Sequence, residues 1–163
     1  MCKNCTRLSL NGMIFLGILT FSLAVGEIVH ADGVNLVSNP GFEKDSDGNG
    51  VPDGWELTPT NGAVGKIEEG GHEGKYAMGF DSPGGEGDCY FIQKKIGIKA
   101  NTDYTISFWY KTKRDDPWGK IVIFLDKEEN IRDKPDWTKY VVTMNSGDKT
   151  ESDLQFVLYR RNA

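Results

Sequence analysis

Histidine, cysteine and helical periodicity are scarce in this 163-residue chain, and each shortage excludes something. The two histidines are His30 and His72, and neither has a Cys or His at metal-ligand spacing. Of the three cysteines, Cys2 and Cys5 precede an apolar run and Cys89 stands alone after it, so the body of the chain can form no internal disulfide. Gly-x-Ser-x-Gly, His-Glu-x-x-His and phosphate-loop patterns are missing. Cys89 also lacks a base nearby in sequence, so it reads as a semi-exposed or buried thiol rather than a nucleophile. An apolar stretch of membrane-spanning length, about 20 residues, is missing as well.

What is present begins with a leader-like segment. Lys3 and Arg7 form a positive start, Met13 to Val25 is an apolar run of thirteen residues, and Val29-His30-Ala31 offers a small residue for cleavage. This reads as a secretory signal peptide over 1–31, with an uncleaved N-terminal anchor as the alternative. The remaining 32–163 would be one domain of 132 residues, secreted or held at the cell surface, with no membrane contact after cleavage. Without Lys3, Arg7 and Glu27, 17 basic and 23 acidic residues remain, a formal charge of −6. An acidic exported domain is a poor partner for nucleic acid or an anionic membrane.

The rest of the chain alternates in short apolar runs between Gly, Asn, Asp and Pro clusters, which predicts an all-β sandwich. Expected strands are Val34–Ser38, Trp55–Thr58, Ala63–Glu68, Tyr76–Asp81, Tyr90–Ile98, Asp103–Lys113, Lys120–Asp126, Thr138–Asn145 and Asp153–Arg160. Period two turns Tyr104, Ile106, Phe108 and Tyr110 toward a core and Thr105, Ser107, Trp109 and Lys111 away from it. Leu154, Phe156 and Leu158 likewise point inward, and Gln155, Val157 and Tyr159 outward. Ile92, Ile96 and Ile98 share one parity, which leaves Phe91, Gln93 and Lys95 on the other face.

One loop stands out chemically. Asp45-x-Asp47-x-Asn49-Gly50 with Glu56 fits a twelve-residue calcium-loop template, Val51 giving a carbonyl and Asp53 the ninth position. Calcium takes six to eight hard oxygens, and alternate residues of a tight loop aim theirs inward. The flanks are not helical and Gly54-Trp55 enters a strand, so a looser calcium loop of the thrombospondin or dockerin sort fits better than an EF-hand. A solvated acidic turn is the alternative.

Several phrases in this order are similar to a family of carbohydrate-binding modules, the family four/nine and family sixteen type attached to secreted bacterial polysaccharide-degrading enzymes. They are Asn35-Leu36-Val37-Ser38-Asn39-Pro40-Gly41-Phe42-Glu43, Pro52-Asp53-Gly54-Trp55, Gly74-Lys75-Tyr76-Ala77-Met78, Ile98 to Trp109, and Asp136-Trp137-Thr138-Lys139-Tyr140. The resemblance implies a jelly-roll β-sandwich of two antiparallel sheets, a glycan-receiving face and a structural calcium with Glu43 among its ligands. Such modules close with a further strand bearing an aromatic-Asp-Asp phrase after the equivalent of Tyr159. Here Arg160-Arg161-Asn162-Ala163 follows instead, so a C-terminally truncated module is expected, with any catalytic domain outside it.

Sugar rings pack their C–H faces on flat aromatic rings while amide and charged side chains take the hydroxyls. The resemblance puts Trp55 at a stacking position, and Trp109 is outward by parity. Trp118, beside Asp115 and Asp116, with Tyr90 and Tyr159, are further candidates, with Gln93, Gln155 and Lys111 as polar partners. Trp137 is expected to pack at a strand start. The reading is a non-catalytic, calcium-stabilised module that binds a β-glucan or mannan. The alternatives are a structural or adhesive cell-surface domain and, third, a small glycosidase.

Overall fold

A computed structural model describes residues 21–30, 33–81, 87–112 and 119–159. Ten strands follow in order: β1 (Phe21–His30), β2 (Glu56–Pro59), β3 (Val64–Glu69), β4 (Tyr76–Asp81), β5 (Cys89–Gly97), β6 (Asp103–Lys111), β7 (Gly119–Phe124), β8 (Lys127–Asn130), β9 (Thr138–Asn145) and β10 (Glu151–Tyr159). They form two five-stranded sheets: sheet A in the order β3-β4-β1-β6-β9, sheet B in the order β2-β5-β10-β7-β8. Neighbouring strands are antiparallel in both sheets. The fold is the expected all-β sandwich, and the described residues contain no helix.

Period-two patterning explains why the sheets face each other. Tyr104, Ile106, Phe108 and Tyr110 of β6 are buried, as are Leu154, Phe156 and Leu158 of β10. Aromatic rings bridge the layers edge to face: Phe108 meets Phe156 at 4.9 Å and 81°, and Phe80 meets Phe91 at 5.9 Å and 69°. Such pairs add about 0.5–1.5 kcal/mol each beyond the area they bury.

Three departures from the sequence expectations have identifiable causes. The first is a β-bulge. Leu154 pairs with Gln93 and Ser152 with Ile96, so Lys94 and Lys95 together face Asp153. Lys95 takes φ +54°, and its amide donates to the Asp153 carboxylate at 2.9 Å. A bulge reverses the side-chain phase. Cys89, Phe91 and Gln93 therefore face the core with Ile96, while Ile92 turns outward. The second is β8, a short charged edge strand that apolar patterning does not reveal. Leu125 and Asp126 reverse the chain before it with φ of +55° and +56°, a two-residue turn of the hairpin-favouring hand. The third is Val34–Ser38, where only Asn35 makes a β-bridge. The Asn35 side-chain oxygen accepts the amides of Ile28 and Val37 and so substitutes for ladder partners.

Strand β1 includes the end of the apolar run assigned to the leader. It lies between β4 and β6, pairing Leu23 with Met78 and Tyr110, and Ile28 with Ile106. Ile28 is fully buried in the common core. Most of the proposed leader, and Trp118 with Asp115 and Asp116, lie outside the described residues.

Because β1 joins β4 to β6, Ile28→Asp places an unpaired carboxylate in the core. It should destabilise the full-length chain by several kcal/mol in chemical denaturation. Slow amide exchange at Met78 and Ile106 should be lost together. Unchanged stability and exchange would mean that β1 is dispensable to sheet A.

Candidate functional site

The side chains proposed for ligand binding separate into three groups. The first, Trp55 and Gln93, is not at the surface. Trp55 lies at the entry to β2 and is 6 % exposed, stacked on Phe91 at 4.3 Å and 8° and edge-on to Phe42 at 5.5 Å. Its indole N–H donates to the Ser38 carbonyl at 3.1 Å. This indole fills the core and has no open face for a sugar, which corrects its assignment as a stacking residue. Gln93 is 4 % exposed because of the β5 bulge, and its amide is consumed by the backbone. Its oxygen accepts Ser38 N–H at 2.9 Å, and its nitrogen donates to the carbonyls of Ser38 at 3.0 Å and Gly54 at 3.3 Å. It is a structural latch rather than a hydroxyl partner. Gly54 sits against that latch with φ +84°; a Cβ there would stand 3.3 Å from Ser38 Cβ.

The second group shares the outer face of sheet B. Tyr90 and Ile92 of β5 and Gln155 and Tyr159 of β10 point away from the core and are half-buried. The register sets Thr58, Tyr90 and Val157 in one row and Glu56, Ile92, Gln155 and Ile123 in the next. The Tyr90 and Tyr159 rings meet at right angles, 5.9 Å apart. Burial, then the nearby Asp88 carboxylate, raises the Tyr90 hydroxyl above its ordinary pKa, so it stays a protonated donor. Glu56 in the second row accepts from Lys94 at 2.7 Å, and the same row runs on through Ile123 to the exposed Glu128 of β8. This face offers rings and a carboxamide.

The third group, Trp109 and Lys111, projects from β6 on the outer face of sheet A, on the opposite side of the sandwich. It cannot bind the same sugar residue as Tyr90 and Gln155. Trp118 lies outside the described residues.

The acidic loop is closed by its own amides. Asp45 accepts Asn49 N–H at 3.2 Å and Gly50 N–H at 2.9 Å, and Asn49 accepts Val51 N–H at 2.7 Å. Asp47 accepts the same Asn49 N–H at 3.2 Å, which sets the Asp45 and Asp47 carboxylates side by side. Asp53 turns to Ser46, whose hydroxyl and amide hold its carboxyl below the usual range. That preference for the ionised form stabilises the fold at neutral pH and is lost as pH falls through the lowered folded value. Glu56 has already entered β2 and pairs with Lys94, so it does not close the loop as the template requires. Glu43 accepts the amides of Lys75 at 2.8 Å and Tyr76 at 3.1 Å, and lines a hollow with Asp45, Gly50, Ile67 and Tyr76. Among the described residues, no three His, Cys, Asp or Glu side chains converge as a ligand set. By donor chemistry Asp45, Asp47 and Asn49 suit a hard cation; Glu56 has an equally hard oxygen donor but is held on β2 against Lys94.

Cys89 is fully buried, and burial alone pushes its thiol up to about 12. A thiol-specific reagent should therefore leave Cys89 unmodified in the native protein and reach it only after denaturation. Gln93→Leu should cost about 1–3 kcal/mol for each backbone group left unsatisfied, measured in urea. Rapid native labelling of Cys89, or a silent Gln93 variant, would contradict the burial described for each.

The comparisons accord with a fold whose polar and aromatic side chains gather on open sheet faces. Comparison with curated proteins finds no similar sequence. A family model described as a carbohydrate binding domain, CBM_4_9, matches residues 34–162. Domains of this kind bind carbohydrate and are non-catalytic in themselves. With most of its length matched, the chain belongs to the CBM_4_9 family of carbohydrate-binding domains.

Proposed function

We propose that the outer face of sheet B is the glycan site and that it takes a neutral, extended polysaccharide of the β-glucan or mannan type. The observation that carries this reading is the grouping of Tyr90, Gln155 and Tyr159 on adjacent strands of one open face. Neighbouring strands lie about 4.8 Å apart, so a sugar chain crossing them meets successive side chains. The tyrosine rings supply apolar planes for pyranose C–H groups, and the Gln155 amide both donates to and accepts from hydroxyls. The Glu56–Lys94 pair cancels its own charge, which favours an uncharged ligand.

In this reading the whole chain acts by binding alone, exported by the leader at 1–31, and serves a catalytic domain carried elsewhere. Calcium has a supporting role. Asp45, Asp47 and Asn49 would hold it, and the ion would neutralise two adjacent carboxylates and stiffen the turn before Trp55. Glu43 is a separate carboxylate that Lys75 and Tyr76 keep at the same end of the sandwich.

Affinity electrophoresis in gels containing glucomannan, β-glucan, cellulose or xylan tests the ligand. Retardation by one of the first two is expected, and Tyr90→Ala should weaken it roughly tenfold, about 1.4 kcal/mol, with little change in melting temperature. Retardation by none of the four would sink this proposal. Reducing-sugar release from the same polymers should be nil.

Calcium is tested by melting. At a hundredfold excess over Kd, a bound ion stabilises by about 2.7 kcal/mol, so chelation should lower the melting temperature by several degrees. Asp47→Ala should abolish that response. A curve indifferent to both would leave the acidic loop as a turn closed by its own amides.

A further inference from the structure

Trp109 and Lys111 belong to a cluster that faces away from the Tyr90 site. Lys139 lies directly across from Trp109 in the β6–β9 register, its ammonium 6.0 Å from the indole centre. The Lys111 ammonium sits 4.7 Å over the ring of Trp137, which is half-exposed. His72 reaches the same spot from the loop between β3 and β4. Its imidazole lies flat on Trp109 at 3.8 Å and 17°, while Trp137 stands 5.7 Å from it at 68°. Two indoles thus make a floor and a wall, and two ammonium groups stand at the rim.

The charge of this corner runs against that of the chain, which is −5 in total. Among the described residues, neither Lys111 nor Lys139 is ion-paired. An exposed ammonium beside an aromatic floor can donate to a neutral sugar's hydroxyl, but it gains more from a full negative charge. A carboxylate or sulfate on the sugar would gain charge-assisted hydrogen bonds from both lysines.

The imidazole on Trp109 occupies the position a stacked pyranose would need. The His72 loop is pinned at its base, where the amides of Gly70 and Gly71 both bond the Lys75 carbonyl at 2.9 and 3.3 Å. Its tip, carrying His72 and the exposed Glu73, can lift without breaking those bonds. The His72–Glu73 approach, 3.8 Å between Nδ1 and Oε1, lies within the tip and moves with it.

We propose that this corner of sheet A is a second glycan site, selective for an anionic pyranose, with His72 as a cap that the sugar displaces from Trp109. Lys111 and Lys139 hold the anionic group, and Trp137 forms the side wall. The site depends on the family's carbohydrate binding but not on the neutral ligand of sheet B, so the two stand or fall separately.

The test uses the full chain, titrated at fixed ionic strength with polygalacturonate, with dextran sulfate and with uncharged dextran, followed by tryptophan fluorescence and calorimetry. Binding to at least one anionic polymer and not to dextran is expected, and the preferred polymer tells carboxylate from sulfate. Lys111→Met combined with Lys139→Met should weaken that binding at least tenfold. His72→Ala should tighten it several-fold, because the cap no longer competes. Neither variant should alter retardation in glucomannan gels. Failure of the wild type and His72→Ala to bind either anionic polymer would overturn the site, as would undiminished binding by the double lysine variant. Weaker binding by His72→Ala would overturn the cap.

Discussion

The hydrogen bonds of the buried Gln93 amide hold together the end of the molecule that precedes β2. One side chain of β5 accepts from Ser38 and donates to both Ser38 and Gly54. It thereby ties the two ends of the acidic loop to sheet B. The Ser38 carbonyl also takes the Trp55 N–H, so the indole is fixed between Phe42 and Phe91 by the same anchor. Deep burial makes each of these bonds costly to lose, since water cannot replace a missing partner. Loop, indole and strand entry are therefore one unit, organised by a single carboxamide.

Much of the sandwich was legible in the sequence, because alternation over six or more residues survives most local disturbance. β4 and β9 run over the expected residues, and the inward sets of β6 and β10 are buried as read. The bulge at Lys94–Lys95 was not legible. Counting back from Ile96 and Ile98 gave the wrong phase, and that error put Gln93 on the ligand face. Trp55 illustrates a different limit: a lone Trp at a strand start has no parity of its own, and the rings of Phe42, Phe91 and Phe156 decided its fate. The turn expected at Gly50 of the acidic loop is present, with φ +81°. Glu56 failed the template because a strand residue committed to Lys94 cannot also turn back. His72 offered no signal, since its contact with Trp109 joins residues far apart in the chain.

The two outer faces differ in electrostatics more than in aromatic content. On sheet B, the tyrosines stand near the Asp88 carboxylate and the Glu56–Lys94 pair. On sheet A, two indoles stand beside lysines with no acid partner among the described residues. The difference follows from which residues the β5–β10 and β6–β9 registers place opposite each other. A sandwich of two sheets gives each strand pair an independent outer surface, so one fold can present two recognition chemistries without compromise in the core.

The position of β1 carries a consequence for timing. Its backbone groups are engaged on both sides, by Met78 to Phe80 and by Tyr104 to Lys111. A segment paired in this way cannot at the same moment be extended through an export channel or lie in a peptidase cleft. In the export reading proposed above, folding and translocation would compete for the same ten residues, Phe21–His30. Slow closure of a sheet rich in sequence-distant contacts would favour export, because such pairings form late. The place of β1 between β4 and β6 thus depends on pairings between parts of the chain far apart in sequence.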